Sequence, residues 1–213
     1  MSTAQHNHWE FTYNQWMFNE NHYVDLIKFL DLNKIESYID LGANTGGVCS
    51  VLLEKIRSLK KCYLFEPQSE NFKYLESKFK SDSRIKCYNF GIYYTDLEFL
   101  NMLRCDNNVG GYTVIKHDQR FEETGDIMKV KKLEDFSEDF NLVDFVKIDV
   151  EGSEENIIEN SIFLKNVKFI EIEWHGKYLD EKESVKFIKE KLSTHKINYD
   201  LSCFPTHTFV EKI

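Results

Sequence analysis

The sequence predicts an α/β fold in which a mostly parallel sheet carries helices on both faces. Three observations point there. From Tyr38 onward, short apolar runs alternate with longer amphipathic stretches, the pattern of buried strands joined by crossover helices. A glycine-bearing turn, Gly42–Gly47, stands between the first such run and the first such stretch. Only two prolines and nine glycines occur in 213 residues, 42% of which are hydrophobic. That composition suits one core and a single domain over residues 1–213, with no linker, disordered tail or internal repeat.

The elements follow in order. His8–Asn21 is rich in aromatics (Trp9, Phe11, Tyr13, Trp16, Phe18), and Val24, Leu26, Ile27, Phe29 and Leu30 then suggest a helix against the sheet edge. Residues 1–36 are therefore expected to form a helical, aromatic segment that packs on the core or closes over a ligand. Strand one is Ser37–Leu41, and a helix over Gly47–Leu59 sets Val48, Val51, Leu52 and Ile56 on one stripe. Lys61–Phe65 is the second strand, Glu70–Lys80 a helix with Phe72, Leu75 and Phe79 at helical spacing, and Ile85–Phe90 the third strand.

Between Tyr93 and Leu133 the period changes. Leu97–Met102, Tyr112–Ile115 and Met128–Lys131 read as short strands broken by a loop at Asn107–Gly111, an antiparallel addition inserted before the next core strand. Val143–Ile148 is the fourth core strand, Ser153–Ser161 a helix, Val167–Ile172 the fifth strand and Glu181–His195 a helix. Tyr199–Cys203 and Thr208–Glu211 around Phe204–Pro205 fit a closing hairpin, which completes seven strands with the last antiparallel.

A net charge of -9 repels polyanions, so a broad nucleic-acid surface is not expected. The basic pairs Lys60–Lys61 and Lys129–Lys132 alternate with acids and read as solvated surface. No apolar run long enough to span a bilayer appears, and Met1–Glu20 lacks the apolar centre of a secretory signal, so a cytoplasmic location is expected. The five cysteines, Cys49, Cys62, Cys87, Cys105 and Cys203, are widely spaced with no Cys-x-x-Cys pair, and read as free thiols.

The strongest local signal is Tyr38-Ile39-Asp40-Leu41-Gly42-Ala43-Asn44-Thr45-Gly46-Gly47. Glycines at 42 and 46 let the backbone turn sharply and approach a ligand, and the helix start offers unpaired N–H groups. Asn44 stands where a dinucleotide fingerprint needs glycine, and no Gly-Lys-Ser/Thr follows as a phosphate-binding loop would need. An Asp-x-Gly-x-x-x-Gly turn remains, with Asp40 placed to meet the ammonium of an amino-acid-bearing ligand. Glu66, in Leu64-Phe65-Glu66-Pro67, ends the second strand where such folds place an acid for ribose hydroxyls. The alternative is a plain turn glycine and a surface glutamate.

Two segments, Ile39–Gly46 and Val146-Lys147-Ile148-Asp149-Val150-Glu151-Gly152-Ser153-Glu154, together resemble the FkbM family of S-adenosylmethionine-dependent methyltransferases. The similarity extends through Phe65-Glu66-Pro67, Lys132-Leu133-Glu134-Asp135 and Ile170-Glu171-Ile172-Glu173, covering about Ser37 to His175. It implies a Rossmann-like class I methyltransferase fold and O-methylation of a hydroxyl on a sugar, glycan or related natural product, with a role such as polysaccharide biosynthesis. It also implies a donor site at Asp40, Gly42, Ala43, Asn44, Thr45, Gly46, Glu66 and Pro67, flanked by Asp149. The chain is short for the family, so the acceptor pocket is left to residues 1–36 and the insertion at 93–133.

A sugar hydroxyl needs a base or a metal to stabilise the developing alkoxide. Asp149, Glu173 and His175 are the catalytic candidates, ending the fourth and fifth strands at one crevice. They could instead hold magnesium or a softer divalent ion, with His175 as ligand or base. Asp149 could equally meet only the donor's amino group, Glu173 only anchor backbone, and His175 only sit in a loop. Lys147 shares a face with Asp149 and suits packing or an ion pair better than catalysis. Two other readings stay open: an RNA or protein methyltransferase, and a catalytically silent Rossmann-like module that binds a nucleoside ligand.

Overall fold

The computed structural model describes residues 32–105, 112–115, 121–136, 140, 142–176, 180–198 and 207–213. The aromatic segment and helix expected before Leu30, the loop at Asn107–Gly111 and the strand expected at Tyr199–Cys203 lie outside them.

Seven strands form the main sheet: β1 (Ser37–Leu41), β2 (Lys61–Phe65), β3 (Ile85–Tyr88), β8 (Phe145–Ile148), β9 (Phe169–Glu173), β10 (His195–Asn198) and β11 (His207–Lys212). Their order is β10-β11-β9-β8-β1-β2-β3. β1 pairs parallel with β2 and with β8, β8 with β9, and β2 with β3, while β11 runs antiparallel to β9 and to β10. The last strand is therefore antiparallel, as the sequence predicts. Chain order reverses direction between β1 and β8, which makes that junction the switch point of the sheet.

Alternation along β1 sends its side chains to two cores. Ile39 and Leu41 join Val146, Ile148, Ile170 and Ile172 under helices α3 (Glu154–Asn160) and α4 (Glu181–Lys191), which contribute Ile157, Ile158, Phe187 and Ile188. Tyr38 joins Phe145, Phe169 and Phe209 on the opposite face, where α1 (Gly47–Lys55) and α2 (Ser69–Phe79) contribute Val48, Val51, Leu52, Leu75 and Phe79.

Two helices end earlier than the pattern suggests. α1 stops at Lys55 because Ile56 turns to an extended conformation, and the Ser58 hydroxyl then donates to the Ile35 carbonyl, drawing the chain back toward β1. α4 stops at Lys191, and His195, expected to end that helix, instead opens β10. Its Nε2 lies 2.8 Å from the Val167 carbonyl oxygen, and burial lowers the affinity of the ring for a proton.

The inserted segment builds a second, four-stranded sheet in the order β4-β7-β5-β6, from β4 (Gly91–Ile92), β5 (Phe99–Cys105), β6 (Tyr112–Thr113) and β7 (Phe121–Lys131). β7, with 11 residues, is far longer than the expected Met128–Lys131, and pairs antiparallel with β5. The insertion is tied to the main sheet by side chains. The Tyr94 N–H donates to Asn156 Oδ1, Asn156 Nδ2 donates back to the Tyr94 carbonyl, and the Tyr94 hydroxyl donates to Glu134. Glu134 also accepts from Ser161 Oγ and from the N–H groups of Ile162 and Phe163, filling donors that a helix start leaves open. The acid in Lys132-Leu133-Glu134-Asp135 is thus a structural joint. Among the described residues, no helix is long and apolar enough to cross a membrane.

Candidate functional site

The loops after β1 and β8 meet at the switch point. The Asp149 N–H donates to the Leu41 carbonyl at 3.0 Å, closing the two strand ends together. Gly42 then turns away at φ +86, and a Cβ built on it would lie 1.8 Å from the Asp149 carbonyl oxygen. No side chain fits between these two backbones, so the glycine read from the sequence is required both by its conformation and by its neighbour.

The turn is pinned from the β2 side. The N–H groups of Gly42 and Ala43 both donate to the Phe65 carbonyl, and Gly46 N–H donates to the Ala43 carbonyl. Asn44, at φ 49, donates its N–H to Glu66 Oε2 at 2.7 Å, while Glu66 Oε1 accepts from Gln68 N–H at 2.8 Å. Asn89 Nδ2 holds the carbonyls of Glu66 and Pro67. Lys78 reaches from α2 to the carbonyls of Thr45 and Gly46, both at 3.2 Å. Gly46, at φ 75, caps α1, and a Cβ there would meet the Phe79 and Leu75 side chains. The whole predicted donor turn, Gly42 to Gly46 with Glu66 and Pro67, is one hydrogen-bonded unit at the carboxyl ends of β1 and β2.

Glu66 is buried, and burial pushes its carboxyl up to about 7 against the pull of the Gln68 and Asn44 N–H groups. Because the folded value lies above the unfolded one, Glu66 binds its proton more tightly in the native state. Its contribution is full below pH about 4.5 and is lost as pH rises to about 7. Denaturant titrations should show stability falling across that window. Glu66→Gln should remove about 3 kcal/mol of the fall; an unchanged slope would refute the assignment.

Asp40 is placed differently from the expectation of a contact with a ligand's ammonium. It points to the α1 side of β1, is fully buried, and lies with Oδ1 3.5 Å from Lys147 Nζ. Lys147 Nζ donates to Asp149 Oδ2 at 2.9 Å. Asp40 thus sits one layer beneath the crevice, linked to it through Lys147. Burial lifts the Asp40 carboxyl above the usual carboxylate range. Asp149 is held below it: burial opposes ionisation, but Lys147 and His175 outweigh it.

Glu173 and His175, two apart, flank the buried Trp174. Glu173 ends β9 with Oε2 3.7 Å from His207 Nε2, and burial together with Asp149 pushes its carboxyl up to about 7. His175 meets other partners. Its Nδ1 lies 3.0 Å from Glu154 Oε1 and its Nε2 3.4 Å from Glu151 Oε2. Burial disfavours the imidazolium, yet Glu154, Asp149 and Glu151 raise it to about 10. A histidine charged at neutral pH has no lone pair to act as a base.

The metal set Asp149, Glu173 and His175 is not the group the structure assembles. Among the described residues the donors that approach within 4.8 Å of one another are Asp149, Glu151 and His175, with Glu173 beside His207 instead. Nor does that group fit a divalent ion. Lys147 already holds Asp149, and both His175 nitrogens face carboxylates as an imidazolium would, so cations of the protein occupy the places a metal's charge would take.

From sequence alone Glu151 and Glu154 could both join the site, although Glu154 lies one turn into a helix, where an acid favours the dipole anyway. Glu154 is buried, and its Oε1 accepts from the N–H groups of Val150 and Gly152 while facing His175. Glu151 stands at φ 53, which with Asn44 makes the two non-glycine residues of positive φ among those described. One lies in each loop of the switch point, where strain of this kind marks functional segments.

Residues 40–201 match the family model described as the methyltransferase FkbM domain. Among solved structures the chain is similar to methyltransferase FkbM from Methylobacillus flagellatus KT, with TM-score 0.57 and 17% identity over 87% of this chain and 45% of that one. It is also similar to a SAM-dependent methyltransferase from Aquifex aeolicus, with TM-score 0.50 and 12% identity over 88% of this chain and 87% of that one. These likenesses show a class I methyltransferase-like α/β fold. The chain spans less than half the length of the Methylobacillus protein. No curated protein matches the sequence.

Proposed function

The chain belongs to the FkbM methyltransferase domain family, and from that premise we propose that it transfers the methyl group of S-adenosylmethionine to a hydroxyl of a sugar, glycan or related natural product. The observation that carries this reading is the joined pair of loops at the β1–β8 switch point: Gly42 in backbone contact with Asp149, and Glu66 fastened to Asn44. The crevice outside these strand ends is where open α/β sheets take their ligands. In this reading the Gly42–Gly46 turn and Glu66 hold the adenosine and amino-acid ends of the donor. Each Glu66 oxygen accepts one N–H and the Asn71 side chain adds a third bond, which leaves the ionised carboxyl a lone pair for a ribose hydroxyl.

The transfer is an in-line displacement. The acceptor oxygen attacks the methyl carbon, the sulfur keeps the electron pair of the broken bond, and the hydroxyl proton must leave. Positioning supplies most of the acceleration, up to about 7–11 kcal/mol in well-oriented sites. With His175 held as a cation, the proton acceptor of this proposal is a carboxylate of the crevice: Asp149, kept ionised by Lys147, or Glu173, whose carboxyl near 7 suits proton transfer at neutral pH. His175 and Glu154 then shape the loop rather than react.

Calorimetry with S-adenosylmethionine, in buffer containing a chelator, tests the donor site. The unaltered protein should bind with 1:1 stoichiometry, and Glu66→Ala should weaken binding about tenfold, roughly 1.4 kcal/mol. Absence of binding heat for the unaltered protein would sink the proposal. Transfer of a labelled methyl group to a panel of mono- and polysaccharides tests the acceptor.

A further inference from the structure

The reaction proposed above leaves Lys147 with no part beyond fixing Asp149. Its side chain is 2% exposed and lies on β8 between β1 and β9, with register placing Asp40, Lys147 and Glu171 side by side on the three strands. Nζ is 2.9 Å from Asp149 Oδ2 and 3.5 Å from Asp40 Oδ1. The Asp40 oxygens are buried with the Tyr38 hydroxyl and Lys147 as their polar neighbours but no well-formed hydrogen bond, and Glu171 Oε2 likewise lacks one, its partner oxygen lying 2.6 Å from His207 Nδ1. Burial opposes the charge on Lys147, but Asp149, Asp40 and Glu171 hold it well above the ordinary lysine range. One cation therefore bridges a carboxylate beneath the donor turn and a carboxylate at the crevice wall.

We propose that Lys147 is a positioning residue that fixes Asp149 and offsets part of the negative field of Asp40 and Asp149 at the donor's sulfonium. This rests on the reading of the crevice as a methyl-donor site. The sulfonium charge disappears as the S–CH3 electron pair returns to sulfur, the new bond forms to the acceptor oxygen, and the acceptor's proton passes to a carboxylate. Uncancelled carboxylates beside the donor would therefore stabilise the charged ground state more than the transition state, in which the charge is already dispersing. A charge in a partly buried setting is felt over several ångströms. Lys147 offsets one of the two negative charges, so that the donor is held more by shape and by hydrogen bonds shared with the product.

The test is calorimetry with two probes, S-adenosylmethionine and S-adenosylhomocysteine. They share adenosine and amino-acid groups and differ in the methyl group and its charge, so the ratio of their dissociation constants isolates the field at sulfur. Lys147→Met should shift that ratio toward S-adenosylmethionine by about threefold or more relative to the unaltered protein. Asp40→Asn, which leaves the lysine balanced by Asp149 alone, should shift it toward S-adenosylhomocysteine, and the double variant should restore it. A direct Asp40 contact with the shared ammonium, or a merely structural lysine, would weaken both probes alike, and an unmoved ratio overturns the proposal. If Lys147→Met does not fold, Asp40→Asn alone decides by the same criterion. Failure of the unaltered protein to bind either probe overturns the methyl-donor reading itself, a result distinct from an unmoved ratio.

Discussion

Replacing Gly42 by alanine is expected to abolish donor binding and to destabilise the fold by about 3 kcal/mol or more. Two costs act at one atom. The residue stands at φ +86, where an L side chain is strained, and its Cβ would lie 1.8 Å from the Asp149 carbonyl oxygen. That oxygen belongs to backbone and cannot swing aside as a side chain could. Relief requires the loop after β1 to separate from the loop after β8, which breaks the Asp149 N–H to Leu41 carbonyl bond and the two donations to the Phe65 carbonyl. Those bonds keep the turn and Glu66 in register. Urea titration should give a lower midpoint, and calorimetry with S-adenosylmethionine should give no measurable heat at concentrations that saturate the unaltered protein. Near-normal binding by Gly42→Ala would show that the two loops need not touch.

Gly42 also shows why the glycine turn between β1 and α1 was legible in the sequence. A strand end, a glycine turn and a helix start are contiguous, so their meaning is local, and Glu66 is recognised by its place after the next strand. The parallel core was legible for the same reason, since each buried run and each helical stripe announces itself within a few residues. β10 was not: the helical pattern continues through Leu192, and only the long-range bond between His195 and Val167 shows that the chain has turned to a strand. The row Asp40–Lys147–Glu171 was equally hidden, because it exists only through the register of β1, β8 and β9. Spacing put Lys147 and Asp149 on one face, but nothing in either segment says that Asp40 is the lysine's other neighbour. The same limit explains the metal set: Glu173 and His175 lie two apart in sequence, but His175 is drawn to Glu154 and Glu173 to His207.

Glu154 presents the second large effect, since one buried carboxylate oxygen serves three groups. Oε1 accepts from Val150 N–H at 3.2 Å and Gly152 N–H at 2.9 Å, and it faces His175 Nδ1 at 3.0 Å. Glu154→Ala strands all three and should cost about 3–5 kcal/mol, the range for removing one partner of a buried ionic pair. Glu154→Gln separates the contributions, because its amide oxygen can still accept from the loop while the charge that holds His175 protonated is gone. The sign follows from the raised folded value. A histidine near 6.5 when unfolded and about 10 when folded stabilises the protein fully below pH 6.5 and loses that contribution as pH rises toward 10. Stability of the unaltered protein should therefore fall between those values, and Glu154→Gln should flatten the fall while keeping most of the loop's hydrogen bonds. The imidazole of that variant should titrate near its ordinary value by NMR. A His175 that still titrates far above neutrality in Glu154→Gln would assign its charge to Asp149 and Glu151 instead, and would return Glu154 to a purely backbone role.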